Sequence, residues 1–182
     1  MTVPPVRLLV HPGPVTPLRW DSLAERRARA FRVRLVSGLT LQDAISTAMA
    51  QMRVRSAALT LMGGVFARLD YCLGAPRPDM PQVAAYSDPI TVDQSAALVG
   101  ASATFGRDMA GMPLVHCHAL LSQADGRAFG GHVVPHTAIL GDQAPVAFVR
   151  AFAMVAIAQR HDAETLTTIF HPVPAGAADA PR

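Results

Sequence analysis

Apolar and polar positions alternate with period two from Phe31, where Phe31, Val33 and Leu35 interleave with Arg32 and Arg34. That alternation predicts a half-buried strand ending at Gly38. The period then lengthens. Leu41, Ala44, Ile45, Ala48, Met49 and Met52 recur at helical spacing behind Thr40, a capping residue with Asp43 three positions on, so the main helix follows. Residues 56–62 read as a buried strand, Gly63-Gly64 as a tight bend, and 65–73 as the antiparallel partner of that strand. Three prolines within 74–81 predict a surface loop of the kind that borders sites. Residues 90–105 begin with alternation and become a strand of small side chains, suited to close packing against another layer or subunit. A turn at 107–111 leads into a hairpin over 113–140. A long apolar strand over 146–157 and a short final one over 165–170 complete the pattern.

Residues 1–30 lack this regularity. Pro4, Pro5, Pro12, Pro14 and Pro17 preclude a long helix. An arm is expected instead, with a short edge strand at 6–10, a turn at 11–14, and a short helix capped by Asp21 or Ser22 that runs to Arg29 and places Trp20 against the body. The domain proper is then 31–174, with a mobile tail over 175–182. The fold class is α/β in the broad (α+β) sense, a mixed, largely antiparallel sheet carrying one main helix.

Site chemistry gathers in the hairpin. His116-Cys117-His118 is followed by Asp125-Gly126 and then Gly130-Gly131-His132. On a strand, residues i and i+2 share a face, so His116 and His118 project together while Cys117 points the other way. Whether His132 joins them depends on register. A three-residue loop, Ala124-Asp125-Gly126 with Gly126 left-handed, sets His118 opposite His132; a two-residue Asp125-Gly126 turn sets Ala119 there instead, unless the glycine pair forms a bulge. The first register is favoured. Three neutral imidazoles with one open position suit zinc or another divalent transition metal. A single strand histidine is more often a half-buried polar side chain, so the third carries the case. His136, just past Pro135, is a candidate further ligand, and Asp125 a candidate site residue.

These residues also carry a resemblance. His116-Cys117-His118, Leu120-Leu121-Ser122, Asp125-Gly126 and Gly130-Gly131-His132-Val133 resemble the signature of the PPC ("plants and prokaryotes conserved") domain family. Arg32-Val33-Arg34-Leu35 before Gly38, Gly63-Gly64-Val65 heading a strand, and Arg160, Asp162, Glu164 and Thr165 resemble further parts of the pattern, over about residues 31–172. The resemblance implies a compact α/β domain that assembles as a homotrimer, with histidines able to hold a metal in some prokaryotic members; it implies no reaction. Plant members are DNA-associated through an AT-hook whose Arg-Gly-Arg-Pro core is absent from this sequence. DNA is therefore a candidate partner by resemblance only. Leu39-Thr40 departs from the family, which often has an acidic residue after the glycine.

Composition narrows the remaining choices. With 182 residues, 51% of them apolar and 16% charged, the chain suits one domain with a sizeable core. It contains no run of about 20 apolar residues and no signal-peptide pattern, so no membrane partner is expected and the cytoplasm is the default location. Cys72 and Cys117 are too few for a disulfide framework and are read as small buried apolar residues. The net charge is +3, with sixteen arginines and no lysine. Arg19, Arg26, Arg27, Arg29, Arg32 and Arg34 cluster, and Arg26, Arg27 and Arg29 are candidate anion contacts, although base-stacking aromatics are lacking nearby. No phosphate-cradling glycine pattern follows a strand and opens a helix. The function expected is a regulatory or ligand-binding metalloprotein of this family. The alternative is a zinc-dependent hydrolase or lyase acting on a small polar substrate, with Asp125, Ser122 or His136 as proton shuttle.

Overall fold

The computed structural model describes residues 10–15, 17, 22–77 and 79–178. β1 (Arg29–Arg34) alternates as its sequence predicts, and Gly38, at φ 78°, turns the chain towards α1 (Leu41–Gln51). The Thr40 hydroxyl oxygen accepts the Asp43 N–H at 3.1 Å and its O–H donates to the Asp43 carboxylate at 2.8 Å. One first-turn donor that has no partner inside the helix is thereby satisfied. α1 buries Leu41, Ala44, Ile45, Ala48 and Met49 in a core shared with Leu59, Leu61, Phe66, Phe105, Val115, Cys117 and Leu121. Met52, at the helix C-cap, is exposed.

After α1 come β2 (Ala57–Met62), β3 (Val65–Cys72), the short β4 (Gly74–Pro76), β5 (Ala84–Tyr86) and β6 (Ile90–Val92), then β7 (Ala96–Arg107) and β8 (Pro113–Ser122). β9 (Ala128–Val133), β10 (Ile139–Leu140), β11 (Val146–Ala151), β12 (Val155–Asp162) and β13 (Thr167–Pro174) complete the strands of the described residues, with a 3₁₀ turn at Ala175–Ala178. The main sheet runs β1-β11-β2-β7-β8-β9-β3-β10; β6 adds to β3, and the β12–β13 hairpin meets β7 through one parallel bridge, Ala158 to Arg107. Gly106 permits that meeting, since a Cβ there would lie 2.5 Å from Ile157 O. The architecture is therefore a mostly antiparallel sheet with one helix.

Four local expectations need correction. β2 and β3 do not form a hairpin: β2 pairs with β7 and β11, and β3 with β6, β7, β9 and β10. Gly63 and Gly64, at φ 63° and 77°, instead turn the chain so that β7 enters between the two strands, and a Cβ on Gly64 would meet Gln143 O at 2.5 Å. The proline-containing stretch 74–81 is a loop only in part, because Gly74–Pro76 pairs with Ala84–Tyr86 in a separate ribbon. Residues 146–157 are two strands, broken at 152–154, where the Glu25 carboxylate accepts the N–H groups of Ala153, Met154 and Val155 at 2.8, 2.7 and 3.1 Å. The helix expected to end at Arg29 is absent from its described part: residues 22–28 are irregular, tied by Glu25 to that break, and Arg29 already pairs with Ala151. Strand 6–10, the Asp21 cap and Trp20 fall on residues outside the described set, apart from Val10, which belongs to no element.

One face of the sheet covers the core and the other is open. Register places Arg32, Phe148, Thr60, Ser102, His118 and His132 in a single cross-strand row on the open face. Arg150, Ala58, Thr104 and His116 form the row beside it. The histidines thus stand on the face turned away from that core, directed there by strand parity.

Candidate metal centre

β8 and β9 are joined by the three-residue loop. Gln123 N–H donates to Arg127 O at 2.9 Å, Gly126 N–H to Gln123 O at 2.9 Å, and Gly126 sits at φ 84°. This is the register that sets His118 directly opposite His132. Gly130 and Gly131 bring β9 close to its neighbours on both sides: a Cβ on Gly130 would overlap Ala119 O, and one on Gly131 would overlap Cys72 O. Cys117 faces the core, fully buried, and burial pushes its thiol up to about 12.

Within the cluster, His116 Nε2 and His118 Nε2 lie 3.0 Å apart, and ring centroids are separated by 4.9 Å (His116–His118), 4.7 Å (His116–His132) and 5.3 Å (His118–His132). One ligand nitrogen from each ring falls within 4.8 Å of the others. Among the described residues this is the one group of three or more His, Cys, Asp or Glu side chains so arranged. Desolvation, with the His116 and His118 rings adding to it, lowers the His132 pKa to about 4. Desolvation and His118 lower that of His116 as well. Both rings are therefore neutral near pH 7, the form in which imidazole ligates. His132 Nδ1 is buried with no hydrogen-bond partner, a costly state unless something supplies one. Nitrogens held at about 2.0–2.1 Å around one tetrahedral ion stand about 3.3 Å from each other, so the three rings fit a divalent ion with small rotations.

Neighbouring elements hold the rings. Tyr86, on the β5 ribbon, stacks on His132 at 4.2 Å and 17°, and Phe170, on β13, meets His116 edge-on at 6.3 Å. Between ribbon and hairpin lies a pocket of about 550 Å³, with His116 and His132 in its floor and Tyr86, Leu114, Pro135, Gln159, Thr167, Thr168, Ile169 and Phe170 among its walls. That volume falls in the usual range for small-molecule sites, about 300–1,000 Å³. Behind it, buried Gln42 on α1 accepts the Val115 N–H at 3.0 Å and donates to Pro113 O at 3.0 Å and to Ser46 Oγ at 3.0 Å. β9 pairs with β8 only from Cys117 onward, so the Gln42 amide takes the place of a strand for residues 113–115. It braces the chain one residue before His116.

The other candidate residues lie elsewhere. His136 is exposed on the turn after Pro135, outside the cluster. Asp125 sits at the hairpin tip, where Arg127 donates to it from its backbone N–H at 3.0 Å and from Nε at 2.7 Å. Arg26 and Arg27 are exposed, and the Arg29 guanidinium donates to Met52 O at 2.9 Å. Tyr86, Phe170 and Gln42 escaped the sequence reading. Gln42 alone left a signal there, as a polar residue three and seven positions before Ile45 and Met49 on the buried face of α1.

The model of the Plants and Prokaryotes Conserved (PCC) domain matches residues 23–146. No curated protein matches the chain. Among solved structures, the metal-containing protein of Archaeoglobus fulgidus is similar at a TM-score of 0.68 and 18% identity, over 83% of this chain and 99% of that one. A plant- and prokaryote-conserved (PPC) protein of Pyrococcus horikoshii gives 0.60 and 20%, over 84% and 94%. A protein of Ralstonia eutropha JMP134 provisionally named as DNA-binding gives 0.63 and 15%, over 79% and 90%. At these identities the likeness is one of fold.

Proposed function

The chain belongs to the Plants and Prokaryotes Conserved (PCC) domain family, and from that premise we propose that it is a homotrimeric metal-binding protein with a regulatory or ligand-binding role, in which His116, His118 and His132 hold zinc or another divalent transition ion. The observation that carries this reading is the convergence of three imidazoles beside a pocket, with a buried His132 nitrogen lacking a partner. An ion held by three imidazoles has a coordination position free for a ligand and supplies Lewis-acid character there. The chain's own side chains do the rest. Tyr86 fixes the His132 ring, Gln42 braces the strand that carries His116, and Ile169 and Phe170 give the pocket apolar wall while Gln159 and Thr168 offer polar contacts.

The open sheet face supports the homotrimer, since Met62, Leu120 and Phe148 stand exposed on it and an apolar surface of this kind is what a second copy covers. Ligand binding ranks above the zinc-dependent hydrolase or lyase. That chemistry needs a proton shuttle; Asp125 is paired with Arg127 at the hairpin tip, Ser122 donates to Gln123 O at 3.2 Å, and His136 is exposed on its turn. Among the described residues no helix is long and apolar enough to cross a membrane, and a cytoplasmic location remains part of the proposal. DNA association, in the Ralstonia protein's provisional name, rests here on shared fold; a steep loss of affinity with added salt is its signature.

Elemental analysis of untagged wild type and His118→Ala, with mass by light scattering, tests the reading. Near-stoichiometric metal that vanishes in the variant, in a particle of three chains, is the expected result. A wild type that takes up no zinc on incubation refutes the metal centre, and a monomer refutes the assembly.

A further inference from the structure

Around the pocket of about 550 Å³ beside the histidines, register or ring contact fixes the direction of four side chains. Leu114 lies two residues before His116 on β8, so both project from the same face. Tyr86 stacks on His132, and Phe170 meets the His116 ring edge-on at 6.3 Å. Gln159 is the cross-strand partner of Phe170 and shares its face. Leu114, Tyr86 and Phe170 offer apolar or aromatic surface. Gln159 adds a neutral amide whose side chain makes no hydrogen bond to another described residue.

Charge is missing from these walls. No aspartate, glutamate, lysine or arginine stands among the described residues lining the pocket. The lowered pKa values of His116 and His132 arise from desolvation and from neighbouring imidazoles, with no carboxylate or guanidinium contributing. The acids on adjoining segments are engaged or turned to water: the Asp70 carboxylate accepts the Thr91 O–H at 2.7 Å and pairs with Arg68 at 3.5 Å, and Asp88, just past Tyr86, is exposed. Ligands are thereby sorted by charge. A divalent ion on three neutral imidazoles keeps its whole double charge, so the group that completes its coordination is best an anion. The rest of the ligand meets uncharged walls, where a second charge would be desolvated without a partner and apolar surface is favoured instead.

We propose that the pocket takes a small monocarboxylate with an uncharged, apolar body, such as an arylalkanoate. Its carboxylate completes the ion held by His116, His118 and His132, and its body lies against Leu114, Tyr86 and Phe170. This rests on the metal-centre reading above. The same walls exclude nucleotides, phosphorylated metabolites and amino acids, which carry charge beyond one anchoring carboxylate. Gln159 is left to meet a carboxylate oxygen or a neutral polar substituent.

Cobalt, whose visible absorption changes when a ligand enters its coordination shell, replaces zinc in untagged protein for the test, and metal per chain is measured before each titration. Phenylacetate is expected to shift the cobalt bands with one site per chain, and to bind about tenfold more tightly than acetate because its ring is buried. Phenylacetamide, which lacks the anion, and 4-carboxyphenylacetate, whose second charge faces uncharged walls, each bind about tenfold or more weakly than phenylacetate. Calorimetry on metal-free protein shows a similar loss. Leu114→Ser, which removes apolar wall and no metal ligand, lowers phenylacetate affinity about fivefold more than acetate affinity. Phenylacetate binding within twofold of acetate or of 4-carboxyphenylacetate, or an unchanged ratio in Leu114→Ser, overturns the ligand class while leaving the metal centre standing. Equal affinity with and without metal, or cobalt bands that no carboxylate shifts in a loaded protein, overturns the anchoring of the carboxylate. A protein that takes up neither cobalt nor zinc refutes the metal centre itself and the proposal with it, so the two failures are told apart by the metal content.

Discussion

Replacing Gln42 by Met tests how the histidine strand is held. The two side chains are similar in size, so the change removes hydrogen bonds while nearly conserving volume. Val115 N–H and Pro113 O each lose their partner at 3.0 Å, on the side of β8 where β9 does not reach to replace it. Each buried backbone group left unsatisfied costs about 1–3 kcal/mol, and part of this is offset by burying a thioether in place of an amide, so a net loss of about 2–4 kcal/mol is expected. In a domain of this length that is a fall in Tm of roughly 5–12 °C. Gln42→Glu keeps an acceptor for Val115 N–H but sets a carboxylate against Pro113 O, and at neutral pH it is also destabilised. Thermal and urea unfolding of metal-free protein measure the loss. If Gln42→Met unfolds within about 0.5 kcal/mol of wild type, the range of an ordinary surface substitution, the amide is not the brace inferred here. Zinc competition titrations add a second reading, because supports of a metal site typically change affinity by about 10–100-fold.

Gly130→Ala forces a Cβ onto Ala119 O, so β9 must move away from β8; a loss of about 1–3 kcal/mol by urea unfolding, with weaker zinc uptake, is expected, and an unchanged midpoint refutes the close approach. The pH dependence of metal-free stability has a definite sign. The His132 pKa is about 4 in the folded chain against an ordinary value near 6.5, so between those values the unfolded chain binds a proton that the folded one refuses. Stability is therefore level above about pH 6.5 and falls as pH drops towards 4, by on the order of 1–2 kcal/mol once solvent screening is allowed for, with His116 acting in the same direction. Urea titrations at stepped pH on wild type and His132→Ala check it: the variant should lose most of the slope, and an equal slope in both refutes the assignment.

How far the sequence carries can be seen in particular residues. The strand that carries Phe31 and Val33, the helix behind Thr40 and the histidine hairpin were legible because each is settled over a few neighbouring residues, by side-chain period, a cap, or the φ of Gly126. Even the pairing of His118 with His132 followed from loop length, since register within a hairpin is a local matter. Where partners are distant in the chain, the same reasoning failed. Gly63-Gly64 looks like a hairpin turn, yet β7, more than thirty residues later, displaces β3 from β2. Nothing near residue 152 marks the break that Glu25 makes from 128 residues away. The fold class and the two-histidine face were therefore determined by the sequence alone, because strand parity and helical period act at short range. The stacking of Tyr86 on His132, the brace from Gln42 and the tie from Glu25 to residues 153–155 were decided only in the tertiary structure. Each joins segments whose proximity depends on the order in which strands take their places in the sheet, and that order is set by the packing of the whole core.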